Sequence, residues 1–494
     1  MRYFIAVLAL VLFPGMVFSQ ESEPSLQKIL FKITATVRQP VPVEPWKKTP
    51  PQEMSGTGFL IAGQRIMTNA HMVRHASQIY VQPDKSDQQY PAIVEFVSQD
   101  IDLAILKLED PAILQGLEPL PFNDGLPVIR SEVTVYGYPL GGNQLSVTKG
   151  IVSRVEYSQY ELFRAALRMQ IDAAVNKGNS GGPVLSNGKV VGVVFSGLGG
   201  ADNIGYVIPS DEVKVFLDDV ADGKSDGRGY LWIEASTVEN VALRERLKLP
   251  DATGGVRVSK VLPQDSEFPI RPDDVITKIG PHTLNAYGEI AADGLSLNFR
   301  YYVPRVVQDG KVPLTLCRDG QSIEVNVPVT KLPPLAIKPL GDGYPNYAIV
   351  GSLVFETLTT EICLAFSSSP EVRAVSQWRG SPILEDIRRP PKYDGQELVF
   401  IAATFPSRLM KGYSRPIYCT VAKVNGTEVR NLRQLVEYLR DCKDEYLRFS
   451  FYEHDTEELT FKRKDFIDST EEILSDNNIR KQFSDDLEDL WDKG

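Results

Sequence analysis

Cysteine and histidine are scarce in this chain. Four of each occur in 494 residues. That scarcity excludes a small disulfide scaffold and any metal centre that needs many thiolates or imidazoles. The cysteines (317, 363, 419 and 442) lie far apart in the C-terminal half, so the spacing specifies no disulfide framework. Basic excess is also missing. Lys and Arg number 53 against 64 Asp and Glu, a formal net charge of −11. A chain so short of cations has little with which to neutralise phosphates, so nucleic acid is not an expected partner. Beyond the N-terminus no apolar run is long enough to span a bilayer. What is present is an ordinary globular composition, 43% apolar and 24% charged. At roughly 100–200 residues per domain this length predicts about three domains.

The first 19 residues read as a secretory signal peptide. Arg2 precedes an apolar run to about Phe13, Pro14-Gly15 breaks it, and Val17 and Ser19 supply small residues before Gln20. The mature protein is therefore expected to be exported, to the periplasm of a Gram-negative source or otherwise secreted, with no stable membrane span. From about Leu26 to Val220 short β-branched stretches such as GFLIAG, LAILKL and KVVGVVF alternate with turn residues, predicting an all-β barrel or sandwich. Asn187-Gly188 signals a type I′ hairpin. SDEVKVFLDDV, with Ser210 as its N-cap, is the first helical pattern. Residues 221–229 read as a charged, Gly-rich linker and 331–345 as a stiff Pro-rich connector. Asn431 is placed to cap a helix whose Leu432, Leu435, Val436 and Leu439 share one face. Residues 466–494 read as an acidic tail. Asn425-Gly426-Thr427 fits a glycosylation sequon but also a turn, and His75, His282 and His454 read as surface residues.

Three segments of the first unit carry chemistry together that none carries alone. They are SGTGFLIAGQRIMTNAH, ending at His71; DIDLAILKL, with Asp100 and Asp102; and NKGNSGGPV, centred on Ser180. A serine hydroxyl is a poor nucleophile near neutral pH. It needs a base to take its proton and a carboxylate to orient that base. His71, Asp102 and Ser180 supply those three roles in chain order, with Asp100 the one rival for the carboxylate. Glycines around Ser180 allow the N–H groups of Gly178 and Ser180 to converge on a developing oxyanion. Gly178-x-Ser180-x-Gly182 also satisfies the nucleophile elbow of α/β-hydrolases. That fold requires a helix after the serine and the histidine last in order, whereas Pro183 and a strand-turn-strand pattern follow Ser180.

SGTGF…TNAH, DIDLAIL and DAAVNKGNSGGPV resemble the three catalytic segments of the Deg/HtrA serine protease family. FRYYVPRVVQDGKVPLTLCRDG, YPNYAIVGSLVFETLT and VAKVNGTEVRNLRQLVEYL resemble the plant-organelle members with a divergent second PDZ domain. The resemblance covers nearly all of the mature chain. It implies a mainly β fold: a chymotrypsin-like double β-barrel protease domain over 20–222, then two PDZ-like α+β domains over 228–332 and 345–465. It implies an ATP-independent endopeptidase that degrades unfolded or damaged proteins without a cofactor or metal, and that self-associates as a trimer or a multiple of trimers. A chaperone or scaffold with latent proteolysis is the alternative. His71, Asp102 and Ser180 carry over as catalytic residues, and Gly178, Asn179 and Ser180 as the oxyanion hole. Phe195 to Tyr206, including Ile204, Gly205 and Tyr206, carries over as a wall of the specificity pocket, with small or medium aliphatic side chains expected before the cut. Leu231, Trp232 and Ile233 align with the carboxylate-binding loop of the first PDZ-like domain. There Trp232 stands where glycine is usual, which weakens the expectation of C-terminal peptide capture.

Overall fold

The computed structural model describes residues 26–491, apart from 140–141, 143, 162–163, 198–203, 264, 332–334, 385–386 and 388. The expected signal peptide, residues 1–19, lies outside the described residues. Among the described residues no helix is long and apolar enough to cross a membrane.

Among the described residues, twelve strands build the first unit. They are β1 (Leu30–Val37), β2 (Gln52–Ile61), β3 (Arg65–Thr68), β4 (Ala76–Pro83), β5 (Tyr90–Ser98), β6 (Leu103–Leu108), β7 (Glu132–Gly137), β8 (Ser146–Glu161), β9 (Arg164–Ile171), β10 (Pro183–Ser186), β11 (Lys189–Gly197) and β12 (Gly205–Pro209). The first six close into one barrel in the order β1-β2-β3-β6-β5-β4, and the second six into another in the order β10-β11-β12-β9-β8-β7. This is the double β-barrel expected from the sequence. In β1 the alternation is plain: Phe31, Ile33, Ala35 and Val37 are buried while Lys32, Thr34 and Thr36 are half-exposed. The period of two puts one row of side chains in the barrel interior. Closure removes the free strand edges that an open sheet would leave. Asn187 and Gly188 both have positive φ between the β10 and β11 strands, as a type I′ hairpin requires.

The second unit is a sheet in the order Ile233–Thr237, Val256–Val261, Val275–Ile279, Lys311–Arg318, Gln321–Pro328. A small hairpin (Glu289–Ala292 with Leu295–Asn298) and the short turns Phe299–Tyr302 and Val303–Val306 cover it. The third unit has a three-stranded sheet (Tyr347–Val350, Leu353–Thr357, Val399–Thr404) and a four-stranded one (Thr427–Glu428, Val421–Val424, Tyr446–Phe451, Leu459–Lys462). Helices Leu432–Asp441 and Arg463–Asp476 pack with them, Thr360–Ser367 joins their apolar cluster through Ile362 and Cys363, and Pro370–Trp378 packs on Thr360–Ser367.

Several expectations need correction. Ser210 does not cap the helix Ser210–Asp219; it is the first helical residue, and its hydroxyl points to the Asn123 carbonyl at 3.3 Å. Residues 221–224 are exposed, but the end of this linker is tied down: the Asp219 carboxylate accepts from Gly227 N at 3.0 Å, and Arg228 forms a buried 2.8 Å pair with Glu212. In the Pro-rich connector, Leu335, Ala336 and Ile337 are buried, because Ile337 joins the apolar cluster of the third unit. The acidic stretch after residue 465 is not a solvated tail. Phe466, Ile473, Phe483 and Leu487 are buried in the third unit, with the acids turned outward. Asn431 does cap its helix, accepting from Gln434 N at 2.8 Å. Asn425 and Gly426 form the turn between strands Val421–Val424 and Thr427–Glu428, and the Asn425 amide donates to the Asp444 carboxylate at 2.7 Å. His75 and His282 are not free surface residues, since their rings pack on Tyr344 at 5.2 Å and Tyr302 at 4.2 Å.

Candidate active site

The site lies between the barrels. His71 belongs to the one-turn helix Ala70–Val73 that follows β3. Asp102 immediately precedes β6, the hydrogen-bonded neighbour of β3. The turn is local and strained: Asp102 has φ +66°, a region few non-glycine residues occupy. Its carbonyl accepts from Ala70 N at 3.2 Å and from the Asn69 amide at 3.0 Å. Asn69 thereby ties the TNAH segment to the DIDL segment. The Asp102 carboxylate faces His71 with both oxygens. Oδ1 accepts from the His71 backbone N–H at 2.8 Å, and Oδ2 lies 2.7 Å from Nδ1. Asp102 is buried and the His71 ring is about two-fifths exposed. Asp100, the rival carboxylate, points elsewhere, 3.9 Å from Arg164, and burial raises its pKa.

Ser180 sits on the tight loop before β10. Its hydroxyl donates to the Phe195 carbonyl at 3.3 Å, and the Phe195 ring stands edge-on to His71 at 6.4 Å between centroids. The backbone of this loop has a distinctive pattern. Gly178 has φ +99°, and Asn179 N donates to the Asn176 carbonyl at 3.0 Å. A positive φ at the third residue of a closed four-residue turn is the mark of type II, which is why glycine stands there. Gly181 has φ +83°, and a Cβ there would collide with the Thr57 carbonyl oxygen. Gly181 N donates to Val194 O and Gly182 N to Asn179 O, both at 2.9 Å. Among the described residues, the N–H groups of Gly178 and Ser180 have no protein partner. Of the three residues expected at the oxyanion hole, then, two present open donors, and the Asn179 N–H closes the turn.

The other sequence-derived site residues divide in two. Gly205 and Tyr206 lie on β12 beside β11, and Ile204 precedes them. A side chain at Gly205 would press on Val175, and the Tyr206 hydroxyl accepts from Arg154 at 3.2 Å. Most of the loop between Phe195 and Ile204 lies outside the described residues. Leu231, Trp232 and Ile233 are buried in the second unit and do not join the groups around Ser180. The Trp232 indole donates to Thr330 Oγ1 at 2.8 Å, and its ring packs on Tyr230 at 5.4 Å. Ile233 N donates to Leu231 O, and Arg300 donates to Ile233 O. The indole is thus a structural part of its own unit.

Two residues near the site escaped the sequence reading. Arg168 is buried in β9, donates to Ile101 O at 3.3 Å, and lies under the Phe195 ring at 4.7 Å. A lone cation in the apolar run LRMQI was its only signal. Thr57, within the SGTGF segment, is fully buried and bonded to the Ser180 loop.

The chain is similar to several known proteins. A family model described as trypsin-like peptidase domain matches residues 56–193, and one described as PDZ domain matches residues 338–486. The chain is 32% identical over 461 residues to "Putative protease Do-like 3, mitochondrial" of Arabidopsis thaliana, covering 92% of this chain and 79% of that protein. It is 32% identical over 476 residues to "Protease Do-like 2, chloroplastic" of the same plant, covering 94% and 76%. Among solved structures, "HtrA-type protease AlgW with decapeptide" shares 23% identity, with a TM-score of 0.48, over 63% of this chain and 98% of that one.

Proposed function

The chain belongs to the Deg/HtrA family of serine endopeptidases, and on that premise we propose that it cuts unfolded or damaged protein chains with Ser180 as nucleophile, His71 as base and Asp102 as orienting carboxylate. The observation that carries this reading is the two-point grip of Asp102 on His71, through the backbone N–H at 2.8 Å and Nδ1 at 2.7 Å. With Nδ1–H bonded to the carboxylate, the neutral ring keeps its lone pair on Nε2, where a base must offer it. Rotation of Ser180 about χ1 releases its hydroxyl from the Phe195 carbonyl. Nε2 then takes the proton as Oγ attacks the scissile carbonyl carbon. The carbonyl oxygen becomes an oxyanion within reach of the Gly178 and Ser180 N–H groups. A donor of this kind contributes on the order of 3 kcal/mol to the transition state. His71 next gives its proton to the leaving amine, and a water, deprotonated by the same ring, hydrolyses the acyl-enzyme.

The domain assignment belongs to the same reading. We assign the protease domain to residues 20–222, a PDZ-type domain to the second unit and a second PDZ domain to the third, its boundary running beyond 465 because the acidic stretch is folded. The leader 1–19 is proposed to direct export and to be removed, and the mature protein to assemble as a trimer or a multiple of trimers. The test of the chemistry is degradation of casein by wild type and Ser180→Ala. Wild type is expected to degrade it, and the variant to lose the activity by several orders of magnitude. Equal cleavage by the two proteins would remove Ser180 from the role. N-terminal sequencing of the exported protein tests the leader, with Gln20 as the expected first residue.

A further inference from the structure

The loop that carries Ser180 is held in an alternating pattern, and one side chain sets much of it. Thr57 lies on β2 in the first barrel, 123 residues before the nucleophile, and is fully buried. Its hydroxyl donates to the Gly178 carbonyl at 2.8 Å and accepts from Tyr138 N at 2.9 Å. Its own N–H donates to the Ser180 carbonyl at 2.8 Å, and its carbonyl accepts from the Thr68 hydroxyl at 2.8 Å. Thr57 therefore holds the carbonyls on both sides of Asn179. The opposite ends of those two peptide planes are held as well, Asn179 N by Asn176 O and Gly181 N by Val194 O. The plane between them is fixed by Gly182 N donating to Asn179 O. Among the described residues, the N–H groups left over in this stretch are those of Gly178 and Ser180.

We propose that Thr57 is a positioning residue for the oxyanion hole: its hydroxyl, anchored by the Tyr138 N–H, fixes the Gly178–Asn179 peptide plane so that the Gly178 and Ser180 N–H groups stay aimed at one point. The inference rests on the reading of Ser180 as nucleophile and of those two N–H groups as the hole. The physical argument is that glycine has the widest choice of backbone conformations, so Gly178 needs an external restraint to keep a φ of +99°. A type I turn over the same four residues would close with the same Asn179-to-Asn176 bond but would turn the Lys177–Gly178 peptide over and carry the Gly178 N–H away. The bond from Thr57 to the Gly178 carbonyl fixes the next plane, Gly178–Asn179, and the Thr57 N–H on the Ser180 carbonyl fixes the plane after Ser180, so Thr57 sets the frame on which the two open N–H groups are carried. Removing the hydroxyl also leaves the Gly178 carbonyl and the Tyr138 N–H buried without partners, which favours rearrangement of the loop.

The test compares Thr57→Val, which keeps the shape and loses the hydroxyl, with Thr57→Ser, which keeps the hydroxyl. Wild type and Ser180→Ala run beside them on a chromogenic peptide. Thr57→Val is expected to lose about 30- to 100-fold in kcat, with KM within about twofold, because the hole acts on the transition state and not on the bound peptide. Thr57→Ser is expected to stay within about threefold of wild type. A peptide boronic acid, whose tetrahedral adduct reaches the hole, should bind Thr57→Val more weakly in proportion to the lost kcat, while the corresponding peptide amide should bind as to wild type. A residue that only supports the fold would lower the melting temperature without this split. If Thr57→Val does not fold, Thr57→Cys gives the same comparison with a weak donor. A folded variant with wild-type kcat and boronate affinity overturns the proposal for Thr57. Equal cleavage by wild type and Ser180→Ala overturns the underlying reading instead.

Discussion

Glu356 is completely buried in the middle strand of the three-stranded sheet, and neither carboxyl oxygen has a hydrogen-bond partner among the described residues. Its cross-strand neighbours are Tyr347 and Phe400. An ionised carboxylate there would lose its hydration and gain nothing in return, so burial pushes its pKa up to about 8. The folded state thus keeps a proton that the unfolded chain releases near pH 4.5. The contribution of this group is fully present below the unfolded pKa and is lost as pH rises toward 8, beyond which it levels off. The size across that window is on the order of 3–5 kcal/mol. Glu356→Gln removes the titration. Urea unfolding at pH 5, 7 and 9 should show wild type losing stability relative to the variant as pH rises. A parallel pH dependence of the two proteins would mean that Glu356 ionises normally. At the proposed active site, too, single residues matter through unusual placement: Asp102 holds its grip on His71 from a backbone conformation with φ +66°.

At the scale of elements, the helix Arg463–Asp476 shows where sequence patterns lead astray. Its surroundings are rich in acids, and the stretch from 466 on reads as a loose helix or a solvated tail. The apolar residues are sparse but well spaced: Phe466 and Ile473 stand seven apart, on one helical face. Phe466 stacks on Phe461 at 4.6 Å and lies 5.8 Å from Phe449. The Phe466 ring also fills the space above Gly351, where a Cβ could not fit. Phe466→Ala should therefore destabilise the third unit by about 3–5 kcal/mol, the usual cost of emptying a buried aromatic site. Urea unfolding followed by near-UV circular dichroism measures it, and a loss below about 1 kcal/mol would return this helix to the status of a loose appendage. Elements with strong local signals were legible in advance. The Asn187-Gly188 hairpin and the Asn431-capped helix depend on residues within a few positions of each other. The pairing of His71 with Asp102 was legible for a similar reason, since TNAH and DIDL each carry their own neighbours. The role of Thr57 was not, because the bond that reveals it spans 121 residues. Burial of Leu335 to Ile337 was hidden likewise, since it depends on packing against an element that forms later in the chain.

Over the whole molecule, the connector and the third unit are docked on the first directly behind His71. Arg74 and His75 follow His71 by three and four positions. The Arg74 guanidinium donates to the Gly341 carbonyl and lies 3.7 Å from Asp342 and 3.9 Å from Glu361. Tyr344 packs on the His75 ring at 5.2 Å, donates its hydroxyl to Arg38 O at 2.9 Å, and lies 3.8 Å below the Lys48 ammonium. Trp46 of the first unit packs on Phe405 of the third at 5.5 Å. The contact mixes a cation over an aromatic ring, a half-buried hydroxyl and an aromatic pair, and such contacts contribute about 0.5–2 kcal/mol each. Nothing in the composition or in the local motifs reports this docking, since it joins residues about 300 positions apart. Its consequence is that movement of the third unit bears on the one-turn helix that carries His71. Tyr344→Ala removes the ring and the hydroxyl together without touching any group near Ser180. The variant should show faster hydrogen exchange at residues 70–75 and a change in kcat of about 2- to 30-fold, the range that 0.5–2 kcal/mol of coupling corresponds to. KM for a short peptide should remain near that of wild type. Unchanged exchange at residues 70–75 together with unchanged kcat would show that the two units are mechanically independent despite their contact.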